Sequence, residues 1–165
     1  MKKFLVFAFF VFAVAVPVIG QAAPPPESVA ITEKDQLDFA QLSIPTAGSE
    51  NIIINPTTGG FSGTGSVQIG TPTRGKYKLR LSGSGSSTSA TIDIQNISSG
   101  SSAVTISNFT GYYGGSSIGS LPQSGLSKPL IGVGTTLYLG ATATYTSSVP
   151  ATTLVPTFDI VVTLQ

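Results

Sequence analysis

Arg74-Gly75-Lys76-Tyr77-Lys78-Leu79-Arg80-Leu81 alternates without a break: even positions are basic, and odd positions are Gly or apolar. Successive side chains of a β-strand point to opposite faces, so a period of two gives one cationic face and one core-directed face. Outward from this stretch the same pattern recurs. Segment 28–32 alternates apolar with small or polar residues, Leu37 and Phe39 keep a period of two around Asp38, and Asn51-Ile52-Ile53-Ile54-Asn55 is β-branched. Pro56 to Gly60 reads as a turn, and further strands are expected over 66–70, 76–82, 89–97, 103–109, 135–145 and 157–164. Gly, Ser, Pro and Asn cluster between these runs. No segment beyond the N-terminus keeps an apolar 3.6-residue period over three turns. The expectation is one all-β domain, an antiparallel sandwich of eight to ten short strands. The Ser-rich stretch 82–89 is expected to be a long hairpin loop.

Composition narrows the chemistry. The 165 residues include 19 Gly and 11 Pro, no Cys, no His and no Trp. Without His or Cys there are no imidazole bases, thiolate nucleophiles or common zinc ligands, and no Ser-His-Asp or Cys-His triad. Only 9% of residues are charged, so the basic excess that nucleic-acid binding requires is missing. The expectation is a protein that is not an enzyme, with no cofactor and no nucleic-acid partner.

The N-terminus has the layout of a secretory signal. Lys2 and Lys3 precede an apolar run from Phe4 to Val16, and small residues follow at Gly20, Ala22 and Ala23. The run is short for a membrane span of about 20 residues, and Pro17 interrupts its end. The reading is an export signal over 1–22 cleaved after Ala22, a proline-rich leader over 23–27, and a domain over 28–165, with no membrane span in the mature protein. Removing 22 of the 165 residues leaves 143, and with Lys2 and Lys3 gone, six basic side chains stand against seven acidic. A chain of that size buries roughly two-thirds of its unfolded surface, enough for a core without disulfides.

Three groups of residues are candidate sites. Arg74, Lys76, Lys78 and Arg80 carry four of the six mature positive charges. They form either a docking stripe for an anionic surface or a solvated strand face that discourages edge pairing, the latter being the default. Phe109, Tyr112 and Tyr113 lie among Gly111, Gly114 and Gly115, where aromatic faces can stack on sugar rings or cover one end of a core. Val29 and Ile31, two residues apart behind the extended Pro24-Pro25-Pro26, are candidate donor-strand side chains for an apolar groove in a neighbouring subunit. The other reading of 28–32 is the first strand of its own sandwich. Other motifs carry less. Leu121-Pro122-Gln123-Ser124-Gly125 looks like a wall-sorting pentapeptide but sits far from the C-terminus and reads as a proline turn. Glu33, Asp35, Asp38 and Glu50 lack the alternating Asp/Asn and turn Gly of a calcium loop.

The order of several blocks resembles the DUF4402 family of exported bacterial all-β proteins. Leu37-Asp38-Phe39-Ala40 is similar to its Leu-Asp-Phe-Gly opening, with Ala40 where the family has Gly. Ile52-Ile53-Ile54 followed by Asn55-Pro56-Thr57-Thr58-Gly59 resembles its second block, and Tyr77-Lys78-Leu79-Arg80-Leu81-Ser82-Gly83 its central strand. Leu137-Tyr138-Leu139-Gly140-Ala141-Thr142 and the stretch from Phe158 to Gln165 resemble its last two blocks, while Val149-Pro150-Ala151-Thr152-Thr153 lacks the expected Gly-x-Tyr turn. The resemblance implies an immunoglobulin-like sandwich and kinship with fimbrial subunits assembled by a periplasmic chaperone and an outer-membrane usher. It implies no catalytic residues. The expected function is therefore that of a pilin-like structural subunit at the cell surface or in the periplasm. The alternative is a monomeric module that binds a glycan or an anionic surface.

Overall fold

The computed structural model describes residues 23–42, 48–63, 68–146 and 153–165. The expected export signal over 1–22 lies outside the described residues, as do 149–152 of the expected final turn. Among the described residues twelve strands run in chain order: β1 (Ser28–Asp35), β2 (Gln41–Leu42), β3 (Glu50–Ile54), β4 (Phe61–Gly63), β5 (Gln68–Ile69), β6 (Gly75–Ser82), β7 (Ser89–Ser98), β8 (Val104–Tyr113), β9 (Ser116–Ser120), β10 (Gln123–Ser127), β11 (Thr135–Tyr145) and β12 (Thr157–Leu164). No helix occurs among the described residues.

β11 is the spine. One edge pairs with β8 from Leu137↔Tyr113 to Tyr145↔Val104. The other edge pairs first with β6, Thr135↔Leu79 to Leu139↔Gly75, and then with β3, Thr142↔Ile53 to Tyr145↔Glu50. β1 flanks β6, β4 flanks β3 and β9 flanks β8, which completes a seven-stranded sheet. A second sheet has the order β10-β7-β12, and β2 pairs with β5. The strand pairs are all antiparallel.

Period-two patterning places the core between the two sheets. On β11 the odd residues Leu137, Leu139, Ala141, Ala143 and Tyr145 are all buried, and on β6 Tyr77, Leu79 and Leu81 match them. The small sheet answers with Ile92 from β7 and with Phe158, Ile160 and Val162 from β12, so the architecture is sandwich-like. Phe158 touches both halves of the core, edge-on to Tyr77 at 6.2 Å and to Phe109 at 5.2 Å between ring centroids. Each fully buried Leu in this interior contributes about 1.5–3 kcal/mol relative to exposure.

Three local expectations change. Residues 82–88 do not close a hairpin, because β6 belongs to the large sheet and β7 to the small one; the loop crosses between sheets. The strand expected over 103–109 runs on as β8 through Tyr113 before Gly114 and Gly115 turn into β9. Leu121-Pro122 does turn the chain, but Gln123 to Ser127 then form β10. Ala40 adopts φ 60, a left-handed conformation that side chains rarely take. The Asp38 carboxylate supports it by accepting from the Ala40 N–H at 2.7 Å.

Candidate interaction surfaces

The cationic stripe stands on the outer face of β6, as the alternation requires, but its four members have different duties. The Arg74 guanidinium stacks 3.8 Å above the Tyr138 ring and donates through Nη1 to the carbonyls of Pro56 and Thr57, both at 2.6 Å. It ties the turn after β3 to the sheet. That turn is itself built by Asn55, whose Oδ1 accepts from Thr57 N at 2.8 Å and Thr58 N at 3.2 Å. Lys76 lies 5.9 Å from the same ring and 3.9 Å from the Asp35 carboxylate, in an exposed pair of little energetic worth. Lys78 and Arg80 have no ion-pair partner among the described residues. Only two of the four cations are thus unengaged. Replacing Lys76, Lys78 and Arg80 together by Ser is expected to leave stability within about 1 kcal/mol and attachment to anionic polymers unchanged at low salt. A large, salt-sensitive loss of attachment would instead make the stripe a docking site.

The aromatic trio divides between core and surface. Phe109 and Tyr113 are each 5% exposed and belong to the core, so neither presents a face to a sugar. The reason is the bulge between Ser107 and Thr110 in the pairing with β11: before it the even residues Val104 and Ile106 point inward, and after it the odd residues Phe109, Gly111 and Tyr113 do. Burial pushes the Tyr113 phenol pKa up, and its hydroxyl donates to the Ser127 carbonyl at 3.0 Å, joining β8 to β10. Tyr112 alone faces outward. It lies beside Tyr138, ring centroids 6.2 Å apart, and the two rings continue the cationic stripe across the sheet. Tyr138 was not among the sequence candidates; its even position on β11, between inward Leu137 and Leu139, is the signal that points it outward.

The N-terminal segment forms the edge of the large sheet. β1 pairs with β6 of its own chain from Ser28↔Ser82 to Glu33↔Tyr77, then shifts register before Asp35↔Lys76. Val29 is half-buried against the core and Ile31 is 38% exposed. The leader is clasped as well: Ser84 N donates to the Pro25 carbonyl at 3.0 Å, Ser87 N to Glu27 Oε2 at 3.2 Å, and Lys128 Nζ to Glu27 Oε1 at 2.9 Å. The hydrogen bonds from Ser87 and Lys128 hold the Glu27 carboxyl below the usual carboxylate range. Beside β1, the outer edge of β12 in the small sheet is also unpaired among the described residues. Between these two edges lies a shallow, mostly apolar slot lined by Ile31, Tyr77, Phe158, Ile160 and Val161 together with Glu33 and Asp159, the Asp159 carboxylate accepting from Asn96 Nδ2 at 2.6 Å. It continues past Gln36 toward Pro156. Burial, reinforced by the nearby Glu33 charge, pushes the Tyr77 phenol pKa up. Among the described residues no three His, Cys or carboxylate side chains gather as a metal site would need.

These features define an all-β, sandwich-like domain whose outer face is cationic and aromatic and whose sheets leave facing edges open. The chain belongs to the DUF4402 family, a domain of unknown function, which matches residues 29–163 and so takes in nearly all of the strand framework. No curated protein and no solved structure matches the chain.

Proposed function

We propose that this protein is an exported, non-catalytic surface protein with an immunoglobulin-like sandwich, serving as a pilin-like structural subunit of a fimbria or other surface polymer. One observation carries the reading: among the described residues β1 and β12 are edge strands with no further strand paired beside them, and they flank an apolar slot. Free edges and apolar grooves are what strand-based assemblies use. Under this reading export precedes assembly, and a periplasmic chaperone and an outer-membrane usher are the partners that would guard these edges. The Tyr112–Tyr138 pair beside Arg74 and Lys76 favours a second reading, a monomeric module that binds glycans or anionic surfaces.

Surface material taken into denaturing gel buffer without boiling, and viewed by negative-stain microscopy, is expected to show a ladder of polymers and fibres. Monomer alone, with binding on a glycan array, would replace the first reading by the second. The Val29→Asp, Ile31→Asp double variant tests the donor role of β1. Because β1 lies in its own sheet with Val29 half-buried, the expected result is a monomer destabilised by about 2 kcal/mol. An unchanged melting temperature with loss of the polymer ladder would instead make β1 a donor strand.

A further inference from the structure

The loop between β10 and β11 presents three large aliphatic side chains together. Leu130 is 59% exposed, Ile131 66% and Val133 71%. This is a constructed tip rather than a slack connection. Gly134 N donates to the Leu130 carbonyl at 3.0 Å, Val133 N to the Ile131 carbonyl at 2.7 Å, and the Thr135 hydroxyl accepts from Leu130 N at 3.1 Å. The loop is pressed against β6: Ile131 bridges to Leu81, and a Cβ on Gly134 would stand 2.7 Å from the Leu79 carbonyl oxygen. Arg80, exposed and without an ion pair among the described residues, lies next to Leu81 beside the tip. A tight turn that aims three aliphatics into solvent, beside an unpaired cation, calls for an apolar partner with negative charge at its rim.

The same molecule carries that counterpart. The slot between β1 and β12 is shallow and mostly apolar, and its lining includes the carboxylate of Glu33, while that of Asp159 already accepts from Asn96 Nδ2 at 2.6 Å. Tip and slot share no residue. From Leu81, beside the tip, to Tyr77, on the slot wall, is four strand residues, or about 13 Å along β6. A projection and a recess at different places on one rigid body cannot satisfy each other within one chain. They match between copies, and the contact is heterologous: the tip of one copy enters the slot of the next, leaving a free slot at one end and a free tip at the other. Repetition of such a contact generates a ring or an open filament.

We propose that the Leu130-Ile131-Val133 tip of one subunit docks into the β1/β12 slot of a second copy, with Arg80 facing Glu33, so that folded subunits stack head to tail. This inference rests on the polymer reading above and names its interface. The contact is small, so in the purified mature chain it is expected to appear as a rise in mass with concentration rather than as a fixed dimer.

Two variants test it, each altered on exposed residues: a tip variant (Leu130→Ser, Ile131→Ser, Val133→Ser) and a slot variant (Ile31→Lys, Glu33→Lys). By sedimentation velocity, each alone is expected to associate at least tenfold more weakly than wild type, with unchanged circular dichroism. Mixed, they should form discrete one-to-one pairs, because the intact slot of one receives the intact tip of the other. A charge swap gives a second handle: Arg80→Glu and Glu33→Arg should each weaken association, and the double variant should recover it. Association untouched by the tip variant overturns the inference, and so does a mixture that stays monomeric. Loss of sedimentation with phosphatidylglycerol vesicles, with self-association intact, would assign the tip to a lipid surface and also overturn it. Absence of any polymer from the wild-type surface would defeat the polymer reading itself. Polymers that persist in cells carrying the tip variant would defeat only this interface.

Discussion

Gly140→Val is expected to abolish the folded state, with a loss of more than about 4 kcal/mol against a typical domain total of 5–15 kcal/mol. The cause is space. A Cβ built on Gly140 would lie 2.0 Å from the Ile54 carbonyl oxygen and 2.8 Å from Pro56 Cδ, and a backbone carbonyl cannot step aside as a flexible side chain can. Gly140 falls where β11 changes partner, between Leu139↔Gly75 on β6 and Thr142↔Ile53 on β3, and where its pairing with β8 shifts register. Ile54 and Pro56 leave β3 across this junction, over a position with no side chain. Displacing them would also strain the Arg74 bonds to the Pro56 and Thr57 carbonyls. The check is urea unfolding followed by far-ultraviolet circular dichroism. A variant that unfolds within about 1 kcal/mol of wild type would show that the junction yields easily. Gly140→Ala carries the same first atom and is expected to lose most of the same stability.

Residues whose spacing alone fixes their orientation were legible in advance. The alternation from Arg74 to Leu81 places Tyr77, Leu79 and Leu81 inward and Lys76, Lys78 and Arg80 outward, as found. The spans read for β11 and β12 agree with the structure at both ends. Ser116 to Ser120 and Gln123 to Ser127 gave no strand signal because they are edge strands, mostly exposed and built of Ser, Gly and Gln. Their backbone pairing, not burial, makes them strands, and pairing leaves little mark on composition. Long-range placement was the other gap. Nothing local says that β6 and β7 lie in different sheets, so residues 82–88 read as a hairpin. Phe109, Tyr112 and Tyr113 were grouped by nearness in the chain, whereas the sheet sends two inward and joins the third to Tyr138, 26 positions further on by the Tyr138↔Tyr112 pairing. The exposed Leu130, Ile131 and Val133 were invisible for the opposite reason: an apolar run beside Gly reads as core until the fold shows it standing outside.

Phe39→Ala is expected to cost about 3–5 kcal/mol and to lower the melting temperature by roughly 10 °C. Phe39 is 0% exposed and heads the largest fully buried side chains of the domain. Its backbone is pinned as firmly as its ring. Phe39 N donates to the Leu154 carbonyl at 3.0 Å, Leu154 N to the Ala40 carbonyl at 3.2 Å, and Asp38 exchanges hydrogen bonds with Thr73 at 3.0 and 2.8 Å. A segment held this way between two others cannot sink into the space a lost ring leaves, so the cavity term is expected near the upper end of its range. The effect on assembly separates stability from recognition. Phe39 belongs to the core half with Leu37, Ile54 and Leu154 and lines neither the slot nor the tip. Under the proposed tip-to-slot contact, copies of this variant that remain folded at low temperature should therefore associate with wild-type strength, and association should be lost only as the folded fraction falls on warming. The tip variant has the reverse signature, with full folding and weak association at every temperature. Sedimentation velocity of Phe39→Ala at 10 °C, set beside its melting curve, checks the distinction. Weak association by fully folded Phe39→Ala would mean that this half of the core shapes the slot from a distance.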